Sequence, residues 1–343
     1  MKISFLAPHL KLSGGVRIIL KYADLLARRG HEVTVYAQSN NQLRRSVANF
    51  LQIGKPKWAG NFTPRVLRIV DFSADNVVPA DVLIATTVKT ALALDILPDG
   101  HGKQFYLLQH DEGLYHASRE DADRAYRGRA TKIVVATWLQ ELLKNNYDIE
   151  AKLLLNPVDL SQFHKLPREI NDGTVRILVL HHNYEWKGTA EGVTIVQELK
   201  KKYPQIRLVM FGVREKTLPE GMCDEYHYNL PQEKLAWLYS NVDIFLCPSW
   251  DEGFGLPSVE AMACGAALAT YDNGGSRDFA HHGVTAMVAP NRDKIALRER
   301  LEALVSDGTL RERIAGEGQK FVSTMPSWNE RVMELEKILS QTK

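Results

Sequence analysis

Two carboxylates, Glu252 and Glu260, frame the most informative segment of the sequence, and seven residues separate them. Gly253 and Gly255 disfavour a helix through the first half of this segment, so Glu252 is predicted to lie on a loop. Pro257 suits a first helical turn, which places Glu260 just inside that helix. A carboxylate accepts paired hydrogen bonds from neighbouring hydroxyls of a sugar or a ribose, a task in which no proton moves. A plain helix start with a favourable acidic residue is the alternative, and it leaves the glycines unexplained.

A second candidate is Lys187, in the run 181–188 after the first predicted strand of the C-terminal half. Lys187 immediately precedes a predicted helix, whose amino end already favours anions. A cation at that place can neutralise a pyrophosphate without a metal ion. His181 and His182 lie in the same run, but partners at metal-ligand spacing are missing. We therefore expect no metal site.

His110 belongs to a polar run, residues 109–112, that directly follows an apolar predicted strand. Burying three neighbouring ionisable side chains is costly, so His110, Asp111 and Glu112 are expected to face a cleft. A histidine there can hydrogen-bond a sugar hydroxyl or stabilise charge. A surface turn is the alternative.

Gly14 and Gly15 follow the first predicted strand at the point where the first helix begins. Without side chains at these positions, backbone amides and the helix dipole can approach an anion or a sugar. A tight turn that needs positive backbone angles is the equally weighted alternative.

Short apolar runs alternate with amphipathic helical patterns along the whole chain, which favours parallel sheets covered by helices. Residues 137–140 are predicted to open one of the helices with a capping box formed by Thr137 and Gln140. The strand predictions are residues 3–7, 32–37, 66–70, 82–85, 104–109, 132–136, 176–180, 207–211, 225–228, 243–247 and 267–270. All four candidate runs follow a predicted strand, where ligands bind in open α/β sheets.

The length of 343 residues exceeds what one hydrophobic core usually supports, so two domains are expected. A polar stretch after residue 156, with proline and glycine but little periodicity, is interpreted as the connection. The predicted fold class is α/β, with two doubly wound Rossmann-like parallel-sheet domains, residues 1–156 and 157–325, that face a central cleft. A terminal helix within residues 326–343 is expected to return to the first domain.

The net charge of the chain is +2, which argues against a nucleic-acid partner. Residues 1–156 hold 21 basic and 15 acidic side chains, a net charge of +6, which leaves −4 for the remainder. Solvated helix faces and loops explain this excess, and a surface that meets anionic lipid or an anionic acceptor is the alternative.

Three cysteines without metal or C-x-x-C spacing argue against a disulfide framework and favour a reducing compartment. The apolar start of the chain is too short for a signal peptide, and no apolar stretch approaches the about 20 residues of a membrane span. A cytoplasmic protein, with peripheral membrane contact through the basic first domain, is the expectation.

The segment from Glu252 to Glu260 resembles the E-x7-E signature of retaining GT-B glycosyltransferases of family 4, the glycosyl transferases of group 1. The resemblance extends over nearly the whole chain. It includes Gly14 and Gly15, the Asn-Pro-Val-Asp run 156–159, the Lys-Gly step at Lys187, and the Gly-Gly stretch 274–278.

The resemblance implies a role for each matching residue on the side of the nucleotide-sugar donor. Glu260 binds the ribose hydroxyls, Glu252 contacts the donor sugar, and Lys187 binds the diphosphate. His110 sits beside the donor sugar at the reacting face. The remaining implied donor contacts come from the backbone of the signature loop and from the glycine loop: Gly253, Phe254, Gly255, Leu256, Gly14 and Gly15.

Two positions depart from the family pattern. His182 stands where an arginine is common, and a neutral histidine lacks the permanent charge of arginine. Diphosphate binding is then expected to depend on Lys187 or on another cation such as Arg214. Asp278 replaces the usual glutamate of the Gly-Gly stretch.

The resemblance implies a metal-independent enzyme without cofactors, of the hexosyltransferase class, that moves a sugar with retention from a nucleoside-diphosphate donor to a hydroxyl. The implied acceptor is a glycan or a lipid-linked glycan in surface polysaccharide assembly. A nucleotide-sugar epimerase on the same fold and a non-catalytic binding subunit remain the alternatives. The donor base, the donor sugar, the linkage and the oligomeric state do not follow from the sequence.

Overall fold

The computed structural model describes residues 1–11, 13–39, 41, 46, 49, 55–56, 60–213 and 221–341. The chain divides into two units, Met1–Asn156 together with Asn329–Lys343, and Pro157–Trp328. Each unit is built around its own parallel sheet.

The sheet of the first unit has the strand order β3-β2-β1-β4-β5-β6-β7 within the described residues, and every pair is parallel. The strands are β1 (Lys2–Ala7), β2 (Glu32–Gln38), β3 (Arg65–Ile69), β4 (Val82–Ala85), β5 (Lys103–Leu108), β6 (Thr131–Val134) and β7 (Lys152–Leu153). The winding direction reverses between β1 and β4, so the carboxyl ends of these two strands form the switch point where α/β sheets bind ligands.

Helices connect these strands: α1 (Gly14–Arg28), α2 (Val88–Asp95), α3 (Arg119–Arg127) and α4 (Thr137–Tyr147). Ser13 begins α1, because its side chain accepts a hydrogen bond from the backbone N–H of Val16 at 3.3 Å. Residues such as Phe5, Ile84 and Phe105 are buried, as the near-continuous apolar runs of a sheet covered on both faces require.

The second unit repeats this topology with the strand order β10-β9-β8-β11-β12-β13, again all parallel. The strands are β8 (Val175–Leu180), β9 (Ile206–Gly212), β10 (Glu225–Tyr228), β11 (Ile244–Cys247), β12 (Ala267–Tyr271) and β13 (Met287–Ala289). The helices are α5 (Thr189–Lys202), α6 (Gln232–Ser240), α7 (Leu256–Ala263), α8 (Lys294–Ser306) and α9 (Gly308–Ser323). Here the switch point lies at the carboxyl ends of β8 and β11.

The terminal helix α10 (Trp328–Gln341) belongs to the first unit from Asn329 onward. Val332, Leu335 and Leu339 are buried along one of its faces. Glu336 accepts hydrogen bonds from the guanidinium of Arg29 at 2.7 and 2.8 Å. Apolar burial and this charged pair hold the last helix against the end of α1.

Each strand predicted from the sequence is present, with ends that differ by two residues at most. The predicted capping box at the start of α4 is wrong. The residue before that helix is Ala136, and the side chain of Gln140 donates instead to the backbone oxygen of Ala151 at 2.9 Å. The sequence pattern had also not indicated α2, α3 or the short edge strands β7 and β13.

Candidate functional site

Two loops meet at the switch point of the second unit, one after β8 and one after β11. The backbone N–H of Trp250 donates to the backbone oxygen of Trp186 at 2.8 Å, which joins them directly. Gly188 has a φ of +62°, and a Cβ atom there would lie 2.1 Å from the backbone oxygen of Pro248. Only glycine permits this approach, so Gly188 fixes where Lys187 stands relative to the second loop.

Lys187 and Glu252 form an ion pair across these loops, with 2.7 Å between Nζ and Oε1. The side chains are largely buried, with exposed fractions of 21% and 11%. Lys187 ends the short 3-10 turn Glu185–Lys187, just before the amino end of α5. A cation and a carboxylate thus lie side by side, where an anion can take the ammonium and a hydroxyl can donate to the carboxylate.

The loop after β12 holds Glu252 in place through backbone atoms. The N–H of Glu252 donates to the oxygen of Asn273 at 3.0 Å, and the N–H of Gly275 donates to the oxygen of Glu252 at 3.1 Å. A Cβ atom on Gly275 would lie 2.8 Å from that same oxygen. The Gly-Gly stretch therefore acts as a close-fitting backbone support for Glu252. Asp278 ends the 3-10 turn Gly275–Asp278 and is half-buried.

The segment from Gly253 to Leu256 turns sharply into α7. Gly255 precedes the helix with a φ of +93°, and Phe254 is buried against Phe279, with 5.6 Å between ring centroids. Glu252 lies outside α7 and Glu260 inside it, which confirms the placement predicted from the sequence.

Glu260 is 4% exposed, and its Oε2 lies 3.4 Å from the hydroxyl of Tyr239, which donates to it. Glu252 and Glu260 therefore enter the same end of the unit from a loop and from a helix, in different surroundings. Glu252 is held by a lysine, and Glu260 faces a tyrosine on α6.

The two histidines after β8 are both held in neutral forms. His181 is buried, its Nδ1 lies 2.7 Å from the hydroxyl of Tyr226, and burial lowers its pKa. The Nδ1 of His182 accepts a hydrogen bond from the backbone N–H of Tyr184 at 3.1 Å. An accepting Nδ1 carries no hydrogen, so the proton of His182 resides on Nε2.

No group of three His, Cys, Asp or Glu side chains in the described part of the chain is arranged to hold a metal ion. Arg214, the other predicted diphosphate contact, lies outside the described residues.

In the first unit, Gly14 and Gly15 form the first turn of α1 rather than a turn with positive angles, so that alternative is wrong. A Cβ atom on Gly15 would lie 3.3 Å from Nε2 of Gln109, which donates to the backbone oxygen of Gly15 at the same distance. The glycine loop and the run 109–112 thus come together at the carboxyl ends of β1 and β5.

His110 is half-buried among aromatic rings. Its centroid lies 6.2 Å from those of Tyr115, His116 and Trp138. The Nδ1 atom lies 3.0 Å from the backbone oxygen of Asp111. A carbonyl oxygen only accepts, so Nδ1 carries the hydrogen and Nε2 holds the lone pair.

The expectation that Asp111 and Glu112 face a cleft beside His110 is wrong, and Asp111 shows why. Asp111 is 4% exposed and accepts hydrogen bonds from Arg119 at 2.9 and 3.1 Å and from the hydroxyl of Tyr126 at 2.9 Å. An arginine and a hydroxyl from α3 offset the cost of burying the carboxylate.

Glu112 is also turned inward. Both of its carboxylate oxygens accept from the backbone N–H of Val88 at 3.0 Å, at the start of α2, and one accepts from the hydroxyl of Tyr106 at 2.9 Å. Burial raises the pKa of Glu112 to about 7, although these hydrogen bonds oppose the shift. Because neither α2 nor α3 was predicted, partners for these two carboxylates could not be named from the sequence.

The structure brings Lys187 and Glu252 together in the second unit, and Gly15 and Gln109 together in the first. Glu260 contacts Tyr239 instead. Trp250 and Asn273, which position the loops of Lys187 and Glu252, were missed, because their backbone hydrogen bonds leave no signal in residue type. In the described part of the chain, Cys223, Cys247 and Cys264 form no disulfide bond. Within the described residues, no helix is long and apolar enough to cross a membrane.

Residues 162–321 match the family described as Glycosyl transferases group 1. The whole chain resembles the O-antigen biosynthesis protein RfbC of Myxococcus xanthus, at 28% identity over 96% of this chain and 26% of that protein. The capsular polysaccharide biosynthesis glycosyltransferase CapM of Staphylococcus aureus is 34% identical over 47% of this chain and 43% of its own length. The chain thus spans less than half the length of either relative.

Among solved structures, HepE of Anabaena in complex with UDP and glucose superposes with a TM-score of 0.77. The two chains are 16% identical, and the match covers 100% of both. With two doubly wound parallel-sheet α/β domains, the chain has the GT-B fold, as its sequence pattern predicted.

Proposed function

We propose that this chain, whose second unit matches group 1 glycosyltransferases, is a retaining, metal-independent enzyme. It transfers a sugar from a nucleoside-diphosphate donor to a hydroxyl of a glycan or a lipid-linked acceptor. The observation that carries the proposal is the ion pair of Lys187 with Glu252 at the switch point of the second unit.

The donor separates the two charges when it binds. Its diphosphate takes the ammonium of Lys187, with further support from the backbone N–H groups at the amino end of α5. Glu252, released from the lysine, accepts a hydrogen bond from a hydroxyl of the donor sugar. The pair therefore recognises a molecule that carries a diphosphate and a sugar next to each other.

Glu260 binds the ribose, and the backbone from Gly253 to Leu256 lines the sugar and the phosphate. His182 donates a neutral hydrogen bond from Nε2 to the diphosphate, because its Nδ1 accepts from Tyr184. Lys187 is then the fixed positive charge that we assign to the diphosphate in the described part of the second unit.

The reaction breaks the bond between the anomeric carbon and the diphosphate and forms a bond from that carbon to the acceptor oxygen on the same face. The acceptor proton passes to the departing phosphate, and the transition state has oxocarbenium character. Lys187 lowers the barrier because negative charge grows on the diphosphate as it leaves. For His110 we propose the role that the family resemblance implies, a hydrogen bond to the donor sugar at the reacting face.

The acceptor side lies on the first unit, where Gly14 and Gly15 leave room for the donor phosphate or for the acceptor. The relatives that act in O-antigen and capsular polysaccharide biosynthesis support surface polysaccharide assembly as the setting. The same proposal places the protein in the cytoplasm, at the inner face of the membrane, with the basic first unit toward anionic lipid.

Titration of the full chain with UDP, GDP and dTDP by calorimetry, and then transfer assays with the matching nucleotide sugars, test the proposal. Lys187→Ala should lower turnover by about 10²-fold or more, in the range of a lost group that stabilises developing charge. Glu260→Ala should lower turnover at limiting donor concentration, because it weakens binding of the ribose. Lys202→Ala, which removes an exposed lysine of the same unit, is the control. Near-normal turnover in both site variants would refute the assignment.

Three further readouts test its finer parts. The anomeric coupling constant of the product reports retention, and unchanged turnover in EDTA reports independence from metal. Incubation of the donor without acceptor distinguishes transfer from epimerisation, since only an epimerase yields an isomeric nucleotide sugar.

A further inference from the structure

We infer that Glu191 is a positioning residue that sets Lys187 against Glu252, an inference that rests on the proposed function. Glu191 lies in the first turn of α5, and Lys187 precedes this helix. Its Oε1 accepts a hydrogen bond from the hydroxyl of Tyr271 at 2.7 Å. Tyr271 is fully buried and ends β12.

This hydrogen bond connects α5, the helix that follows Lys187, to the loop that supports Glu252. The chain continues from Tyr271 to Asn273, whose backbone oxygen accepts from the N–H of Glu252 at 3.0 Å. Glu252 in turn holds Lys187 at 2.7 Å. The contacts close a ring that runs from Lys187 through α5, Glu191, β12 and Glu252 back to Lys187.

A second contact reaches the same oxygen of Glu191 from the loop after β11. The indole Nε1 of Trp250 donates to it at 3.5 Å, a weak hydrogen bond. The backbone N–H of Trp250 donates to Trp186, the residue before Lys187, at 2.8 Å. One carboxylate oxygen thus joins α5, the end of β12 and the loop that leads to Glu252.

Tyr271 remains a hydrogen-bond donor in this arrangement. Burial raises its pKa well above the ordinary value of a tyrosine, and the hydrogen bond to Glu191 adds to the shift. If Glu191 is removed, the buried hydroxyl loses this acceptor, and the end of β12 must move or take in water. Either change displaces Asn273 and hence Glu252.

The role belongs to the hydrogen bond, because the negative charge itself works against an anionic donor bound nearby. An amide oxygen at residue 191 would still accept from Tyr271. Glu191→Gln should therefore preserve the geometry, whereas Glu191→Ala and Tyr271→Phe should disturb it from opposite ends of the same bond.

The test uses the full chain and the affinity for UDP, GDP and dTDP by calorimetry, together with KM and kcat for transfer. Glu191→Ala and Tyr271→Phe should each weaken nucleoside-diphosphate binding about tenfold, the loss of one well-made hydrogen bond. They should also lower kcat, since Lys187 acts on the departing diphosphate. The affinity of Glu191→Gln for nucleoside diphosphates should stay within about threefold of that of the unchanged protein. Glu198→Ala, which changes an exposed residue of the same helix, should bind as well as the unchanged protein does.

The double variant Glu191→Ala with Tyr271→Phe should bind no more weakly than the worse single variant, because both remove one bond. Tyr271→Phe keeps the buried ring, so it remains informative even if Glu191→Ala folds poorly. If both single variants lower only the melting temperature and bind nucleoside diphosphates normally, the role is structural and the inference is wrong.

A different result would overturn the proposed function itself. If the unchanged protein binds none of the three nucleotides, or if Lys187→Ala binds as well as the unchanged protein, the donor site is misassigned. The inference about Glu191 then fails with it. If Lys187→Ala loses affinity for the nucleotides as expected but Tyr271→Phe does not, only the inference about Glu191 is wrong.

Discussion

Replacing Lys187 by methionine should destabilise the second unit, because it leaves the charge of Glu252 in a largely buried place without its ammonium partner. Methionine keeps most of the length and the apolar stem of lysine and removes only the charge. The perturbation therefore isolates the ion pair of 2.7 Å between Nζ and Oε1.

The exposed fractions of the two side chains set the size of the effect. Breaking a fully buried ion pair costs about 3–5 kcal/mol, and breaking an exposed one about 0.2–1 kcal/mol. Lys187 and Glu252 are 21% and 11% exposed, so the loss lies between these ranges, at about 2 kcal/mol. In a domain of this size, that loss lowers the melting temperature by about 4–8 °C.

The assay is thermal unfolding followed by far-UV circular dichroism and tryptophan fluorescence, at low and high salt. Lys202→Met is a matched control in the same unit, because Lys202 also lies 2.7 Å from a glutamate, Glu302. Lys202 is 67% exposed, so its replacement should lower the melting temperature much less than Lys187→Met does, and the effect should shrink further in salt.

The double variant Lys187→Met with Glu252→Gln should be more stable than Lys187→Met alone, since it also removes the uncompensated charge. If Lys187→Met melts within a degree of Lys202→Met, or if the double variant is the least stable of the set, the buried ion pair does not exist as described. The interpretation of the donor site would then lose its main support.

Three other predictions follow from individual contacts. Gly275→Ala should weaken nucleotide-sugar binding measured by calorimetry, because a Cβ atom would lie 2.8 Å from the backbone oxygen of Glu252. The control Gly316→Ala, in open space on α9, should raise the melting temperature. Equal effects of the two substitutions would contradict the backbone support of Glu252. His182→Arg should strengthen nucleoside-diphosphate binding about tenfold, since it adds a permanent charge where the ring is neutral, and unchanged affinity would place His182 away from the phosphates. The pKa of Glu112 is raised from 4.5 to about 7, so its contribution to stability is present below pH 4.5 and is lost as the pH rises through about 7. The melting temperature of Glu112→Gln, measured between pH 4.5 and 8, should lack this decline. Parallel curves for the variant and the unchanged protein would disprove the raised pKa.

The repeating order of strands and helices, and the place of each candidate residue on it, could be predicted from the amino-acid sequence. Runs of four to six mostly apolar residues were sufficient for the strands because a parallel sheet is buried on both faces. Gly255 and Pro257 were sufficient to place Glu252 on a loop and Glu260 in α7, because these residues restrict the backbone locally. Such features depend on near neighbours in the chain, and near neighbours are visible in a sequence.

Which side chains pair with one another depends on contacts between distant parts of the chain. Asp111 and Glu112 stand beside His110 in the sequence, yet both are turned inward toward Arg119 and the start of α2. The pairing of Lys187 with Glu252 joins residues that lie 65 positions apart. Glu191 gave no signal at all, because the partner that gives it a role, Tyr271, is 80 positions away. Ionisable side chains take their protonation and their function from whatever the fold packs against them, and that contact is set by the winding of the sheet rather than by the residue itself.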